Sequence, residues 1–151
     1  MSPSEHQATR DGRVSDGTPV TPTVTTAAEA RDHARAVVRQ QWDSTSRTAR
    51  EEDVIDLLLV VSELVTNAIR HGDGLAGFEI TVTDDGVRLA VHDHSDTIPD
   101  AAYGSGALPA RIGAAHGYGW PLVHRLTREV AVEPRPEGGK TISALVPLRA
   151  R

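Results

Sequence analysis

The chain has 151 residues, a formal charge of -5 and no cysteine, with no run of Lys or Arg exceeding two residues. That length fits one domain able to bury a core without staples. The missing thiols exclude disulfides and thiolate metal sites, and the acidic balance argues against nucleic acid or an anionic membrane as partner.

Residues 1–18 hold one Val and no other large aliphatic residue after Met1, which predicts a disordered tail ahead of a domain over 19–151. The polar N-terminus lacks the apolar core of a secretory signal. Pro19 to Thr25 alternates Val with Thr and Pro and reads as an edge strand. Thr25 or Thr26 caps a helix, with Glu29 three residues beyond Thr26, and the helix runs to about Trp42 on an apolar stripe of Ala30, Ala34, Val37, Val38 and Trp42. After a polar connection a long helix spans about Arg50 to His71 and stops at Gly72 and Gly74. Its longest apolar run, Leu57 to Val61, is far too short to cross a bilayer, so a soluble cytoplasmic protein is expected.

The second half changes period. Phe78 to Thr83 alternates as a strand, Asp84-Asp85-Gly86 turns with Asp-Gly supplying positive φ, and Val87 to Asp93 alternates again. Residues 94–117 have no sustained period and contain Gly104, Gly106, Gly113 and Gly117, the pattern of a functional or mobile loop. Tyr118 to Thr127 reads as a short helix, Glu129 to Glu133 as a strand, Pro134 to Gly139 as a turn and Lys140 to Leu148 as the last strand. The expected class is α+β, a two-layer sandwich of a mostly antiparallel sheet with helices on one face.

Four constellations could carry chemistry. In the long helix Val54, Leu57, Leu58, Val61, Leu64, Val65 and Ala68 fill one face. Glu63, Asn67, Arg70 and Asp56 form a narrow polar stripe opposite, flanked by Leu59 and Val60. A Glu and an Asn four residues apart share a helix face, where the acid could take a proton and the amide oxygen could hold a hard cation. The same stripe fits a solvated helix face. Asp93 continues by parity the apolar row Val87, Leu89, Val91, and either points inward toward a hydrogen-bond donor or caps the loop. Gly117-Tyr118-Gly119-Trp120-Pro121-Leu122 joins loop to helix, where amide hydrogens can meet phosphate oxygens. His92 and His94, at i and i+2, could ligate zinc or nickel, but no third ligand stands at recognisable spacing. Trp42 and Trp120 read as packing residues, and His71 as a cation at a helix C-terminus. The fragment Gly138-Gly139-Lys140-Thr141 lacks the upstream Gly and the following helix of a P-loop.

The order Glu-Leu-Val-Thr-Asn-Ala-x-x-His-Gly, an Asp after a strand, a long loop, Gly-x-Gly opening a helix and a closing Gly-Lys-Thr strand resembles the Bergerat-fold ATPases, the gyrase and histidine-kinase group. The wording of the motifs looks most like the anti-sigma-factor serine kinases and their stand-alone relatives, over about residues 20–148. The resemblance implies ATP and Mg2+ as cofactors. It implies Asn67 on the metal, Glu63 as general base, Asp93 on the adenine amino group, Gly117, Tyr118, Gly119, Trp120 and Leu122 around the phosphates, and Ile98, Pro99 and Thr141 near the base. Two positions depart from the pattern: Asp93-His94-Ser95 has no Gly where the family reads Asp-x-Gly, and Trp120-Pro121 replaces Leu. The implied function is a protein serine kinase that phosphorylates a small STAS-type antagonist and holds a sigma factor, in a homodimer as relatives often are. The alternatives are a nucleotide-dependent binding module with little turnover, or a trans-acting catalytic half of a sensor histidine kinase.

Overall fold

The computed structural model describes residues 23–103 and 119–151. The expected tail, the start of the expected edge strand, most of the glycine-bearing loop, and Gly117 and Tyr118 lie outside the described residues.

Helix α1 (Ala27–Val37) begins at Thr26, whose Oγ1 accepts from the Glu29 amide at 3.1 Å. Glu29 reaches back past the cap to the Thr25 amide at 2.8 Å, so the reciprocal bond of the capping box forms one residue earlier than the Thr26–Glu29 spacing predicts. Residues 23–25 therefore lead into the helix and form no strand, which corrects the edge-strand expectation over its described part. The helix widens into a π-helical turn over Val38–Trp42, where the Asp43 amide bonds back to the Val38 carbonyl at 2.8 Å. Trp42 is buried, with the Arg47 guanidinium 3.5 Å from its ring centroid.

Helix α2 (Glu51–His71) carries three acids in its first turn and ends where the amides of Gly72 and Gly74 both bond to the Ala68 carbonyl. Leu57, Val60, Val61, Leu64 and Val65 are buried in the core, whereas Ile55, Leu59 and Ile69 are exposed. Among the described residues no helix is long and apolar enough to cross a membrane.

Strands β1 (Leu75–Thr83), β2 (Gly86–Asp93), β3 (Arg128–Pro134) and β4 (Lys140–Pro147) form one antiparallel sheet in the order β1-β2-β4-β3. The β1–β2 turn lies one residue earlier than expected. Thr83 pairs with Gly86, so Asp84 and Asp85 form the loop, and neither has positive φ. Gly86 carries the expected positive φ, at +156°, and the Thr83 hydroxyl oxygen clasps the turn by accepting from the amides of Asp85 and Gly86. A 3-10 turn (Asp100–Tyr103) and helix α3 (Trp120–Leu126) complete the described elements.

Phe78, Ile80, Val87, Leu89, Val91, Ile142, Ala144 and Val146 alternate along the strands and are buried in the core with α1 and α2. Thr81, Arg88, Ala90, His92, Thr141 and Ser143 take the opposite parity, and each is partly or fully exposed. The architecture is thus the expected two-layer α+β sandwich: helices on one face, antiparallel sheet on the other.

Candidate functional site

The second half of α2 lies along one wall of the candidate site. Asn67 is buried at 7% exposure and Glu63, one turn earlier, is half-buried. The solvated-face alternative therefore fails for Asn67, while Arg70, on the same stripe, is exposed. Burial raises the Glu63 carboxyl above its ordinary value.

Glu63 abuts the start of α3. Gly119 has φ of +58°, a left-handed conformation, and an added Cβ there would overlap the Glu63 carboxylate. The glycine thus serves two demands at once: a backbone that turns left-handed, and an acid packed directly against it. Pro121 stands in the first turn of α3, where its missing N–H loses no helical bond. Trp120 is buried at 1% exposure with its ring 5.8 Å from that of His124, so it packs as expected. Leu122 is half-buried on the same helix.

The other end of the site is the corner where β2 stops. Asp93 does point inward, at 3% exposure. Its Oδ1 accepts the Ser95 amide at 2.9 Å, and its Oδ2 lies 2.9 Å from Lys140 Nζ. Lys140 is equally buried, and its ammonium also donates to the Ser95 carbonyl at 3.3 Å. Both the inward and the loop-capping readings of Asp93 therefore hold together. The corner is tied further by the His94 amide to the Gly72 carbonyl (2.9 Å), the Gly139 amide to Asp96 Oδ1 (2.8 Å) and Arg135 Nη1 to the Asp93 carbonyl (3.3 Å). Gly72 is needed for close approach, since an added Cβ would stand 2.5 Å from Asp93 Oδ2.

Thr141 is not on this face. It pairs in register with His92, and its Oγ1 lies 2.6 Å from His92 Nδ1 on the opposite side of the sheet. Alternation along β4 explains it: Lys140 shares the face of Ile142 and Ala144, and Thr141 takes the other. Ile98 and Pro99 are half-buried between β2 and the 3-10 turn, with Ile98 packed on the core and the Pro99 carbonyl accepting from Ala102. Gly139 leads directly into a strand, so the Gly-Lys-Thr fragment is no P-loop. His92 is held by Thr141, His94 is exposed, and among the described residues no group of three or more His, Asp or Glu could hold a metal.

Lys140 and Gly72, both within the quoted motifs, and Asp96 join this corner without a site role expected from the sequence. Parity along β4 was the available signal for Lys140, because 140 shares its face with 142, 144 and 146.

The residues present suit a magnesium nucleotide. A buried amide oxygen on a rigid helix meets the modest demand of magnesium, which takes one or two protein oxygens and otherwise phosphate and water. An acid with raised proton affinity beside a left-handed glycine fits a reacting end, and an inward carboxylate fits a base-recognising end.

Residues 20–144 match the family described as the histidine kinase-like ATPase domain. No curated protein matches the chain.

Proposed function

This chain belongs to the histidine kinase-like ATPase domain family and is an ATP-binding domain, and on that premise we propose that it is a protein serine kinase of the anti-sigma-factor type. Its substrate would be a serine on a small STAS-type antagonist protein, and its second partner a sigma factor, both in the cytoplasm. The observation that carries this reading is the packing of Glu63 against Gly119, which brings an acid of raised proton affinity to the first residue ahead of α3.

In this reading Asn67 would hold Mg2+, Asp93 would recognise the adenine amino group, and Gly119 with the first turn of α3 would border the phosphates. Bound ATP with magnesium supplies an activated γ-phosphoryl group. Glu63 would take the proton from the serine hydroxyl as that oxygen bonds to the γ-phosphorus and the bond from that phosphorus to the β–γ bridging oxygen breaks, releasing ADP, and its raised proton affinity brings it nearer the working pH of a general base. Asn67, one turn on from Glu63, keeps metal and base on one helix face, so their separation is set by the helix rather than by a loop.

The test is incubation of the protein with labelled ATP, magnesium and a STAS-type antagonist encoded beside it. Phosphoserine on the antagonist, abolished by Glu63→Ala, is the expected result. Absence of transfer to every neighbouring antagonist would overturn the kinase reading.

A second reading, a binding module whose partner surface is set by nucleotide with little turnover, draws on the two departures from the family pattern, Ser95 where Gly is usual and Trp120-Pro121 where Leu is usual. Tight ATP binding without phosphate release would favour it.

A further inference from the structure

A buried lysine needs an explanation. Lys140 is 3% exposed, and an ammonium taken out of water is costly unless its protons are all used. Two are used: one toward Asp93 Oδ2 at 2.9 Å, one toward the Ser95 carbonyl at 3.3 Å. An ammonium has three donors. Among the described residues, the contacts of Lys140 leave one N–H over.

Asp93 is complementary. Its Oδ1 holds the Ser95 amide and its Oδ2 the ammonium, so lone pairs remain on both oxygens. Asp93 and Lys140 stand directly opposite in the β2–β4 register and share the inner face of the sheet. The pair therefore offers one acceptor and one donor side by side. That is the complement of a purine edge carrying an exocyclic amine next to an unprotonated ring nitrogen.

The pair also resists separation. If a base amine displaced the ammonium, a buried carboxylate would keep its charge with only neutral donors, and the lysine would need a new partner. Lys140 stays, and the base must bind to the pair.

Resting on the nucleotide reading above, we propose that Lys140 is a base-reading residue: while Asp93 accepts from the adenine amino group, the third proton of Lys140 is donated directly to adenine N1. The strand position facing the base is thus Lys140, and Thr141 on the reverse face takes no part.

The experiment compares equilibrium binding of ATP, 1-deaza-ATP (N1 replaced by C–H) and 7-deaza-ATP (N1 and amine intact) to the full chain and to Lys140→Met. The wild-type protein should bind 1-deaza-ATP at least about tenfold more weakly than ATP, as expected for losing a hydrogen bond from a charged donor. It should bind 7-deaza-ATP about as well as ATP. In Lys140→Met the ATP to 1-deaza-ATP ratio should fall to near one. Equal binding of ATP and 1-deaza-ATP by the wild type, or an unchanged ratio in Lys140→Met, overturns the proposal while leaving the ATP site standing. If the wild type binds none of the three, the nucleotide reading falls together with it. Should Lys140→Met fail to fold, as circular dichroism would reveal, the wild-type ratios alone decide.

Discussion

Asp53, in the first turn of α2, takes three hydrogen bonds from Arg149: the backbone amide at 2.8 Å, Nε at 3.2 Å and Nη2 at 2.8 Å. A residue 96 positions away thereby fastens the segment after β4 to the start of the helix that carries Glu63 and Asn67. The Arg50 amide adds a bond to the Arg149 carbonyl at 2.9 Å, and Ala49 bridges to Ala150.

These bonds hold the Asp53 carboxyl below its ordinary value, chiefly through the Arg149 side chain. A depressed acid contributes stability above its unfolded value, and that contribution is lost as pH falls through the folded one. Asp53→Ala should cost about 1.5–3 kcal/mol at neutral pH, the scale of hydrogen bonds to a charged group. Urea unfolding at pH 7 and in the acid range should show the gap to wild type narrowing as pH drops.

Glu63 should behave in the opposite sense. Its carboxyl is raised by burial, so the folded state binds the proton more tightly than the unfolded state does. Stability then declines as pH rises through the unfolded and then the folded value, and the ionised acid is a small liability at neutral pH. Glu63→Gln should stabilise by on the order of 0.5 kcal/mol, because the side chain is only half-buried and water screens it. The same variant should lose phosphoryl transfer while still binding ATP. Thermal unfolding and a transfer assay on one preparation check both halves.

Gly119→Ala should retain the fold and damage the site. The left-handed backbone costs an alanine about 1–2 kcal/mol, and the new methyl displaces the Glu63 carboxylate. Since misplacing a reacting group by about 1 Å can cost on the order of 100-fold, transfer should fall by about that factor. Unaltered transfer would show that Glu63 is not held by this contact.

Gly72→Ala should act at the base end. Its Cβ would meet Asp93 Oδ2 at 2.5 Å and Asp93 Cβ at 2.8 Å, so the Asp93–Lys140 pair has to shift. Overpacking of this kind costs about 1–3 kcal/mol. Calorimetric ATP binding should weaken together with stability, whereas the distant exposed change Leu59→Ala should alter neither.

Much of this molecule could be read from local pattern. The 3.6-residue stripe of α2, the alternation of β1, β2 and β4, and the Thr26–Glu29 box are short-range signals that packing reinforces. Inward Asp93 followed from parity with Val91. The same parity applied to β4 puts Lys140 rather than Thr141 beside Asp93, whereas the resemblance implies the threonine. Other features have no local signature. Asp53 looks like an ordinary first-turn acid until Arg149 arrives from the far end of the chain. Glu63 and Gly119 are joined only by the docking of α3 against α2. The β1–β2 turn joins the positive φ of Gly86, legible in the Asp-Gly dipeptide, to a clasp by the Thr83 hydroxyl that the dipeptide does not announce.

The strand order β1-β2-β4-β3 seats the final strand between two earlier ones. On the ribosome, β2 and β3 must wait with bare edges until Lys140–Pro147 emerges and joins them. A nascent chain or proteolytic fragment stopping short of Lys140 would expose both edges and lack the counter-ion of Asp93, a combination that invites aggregation.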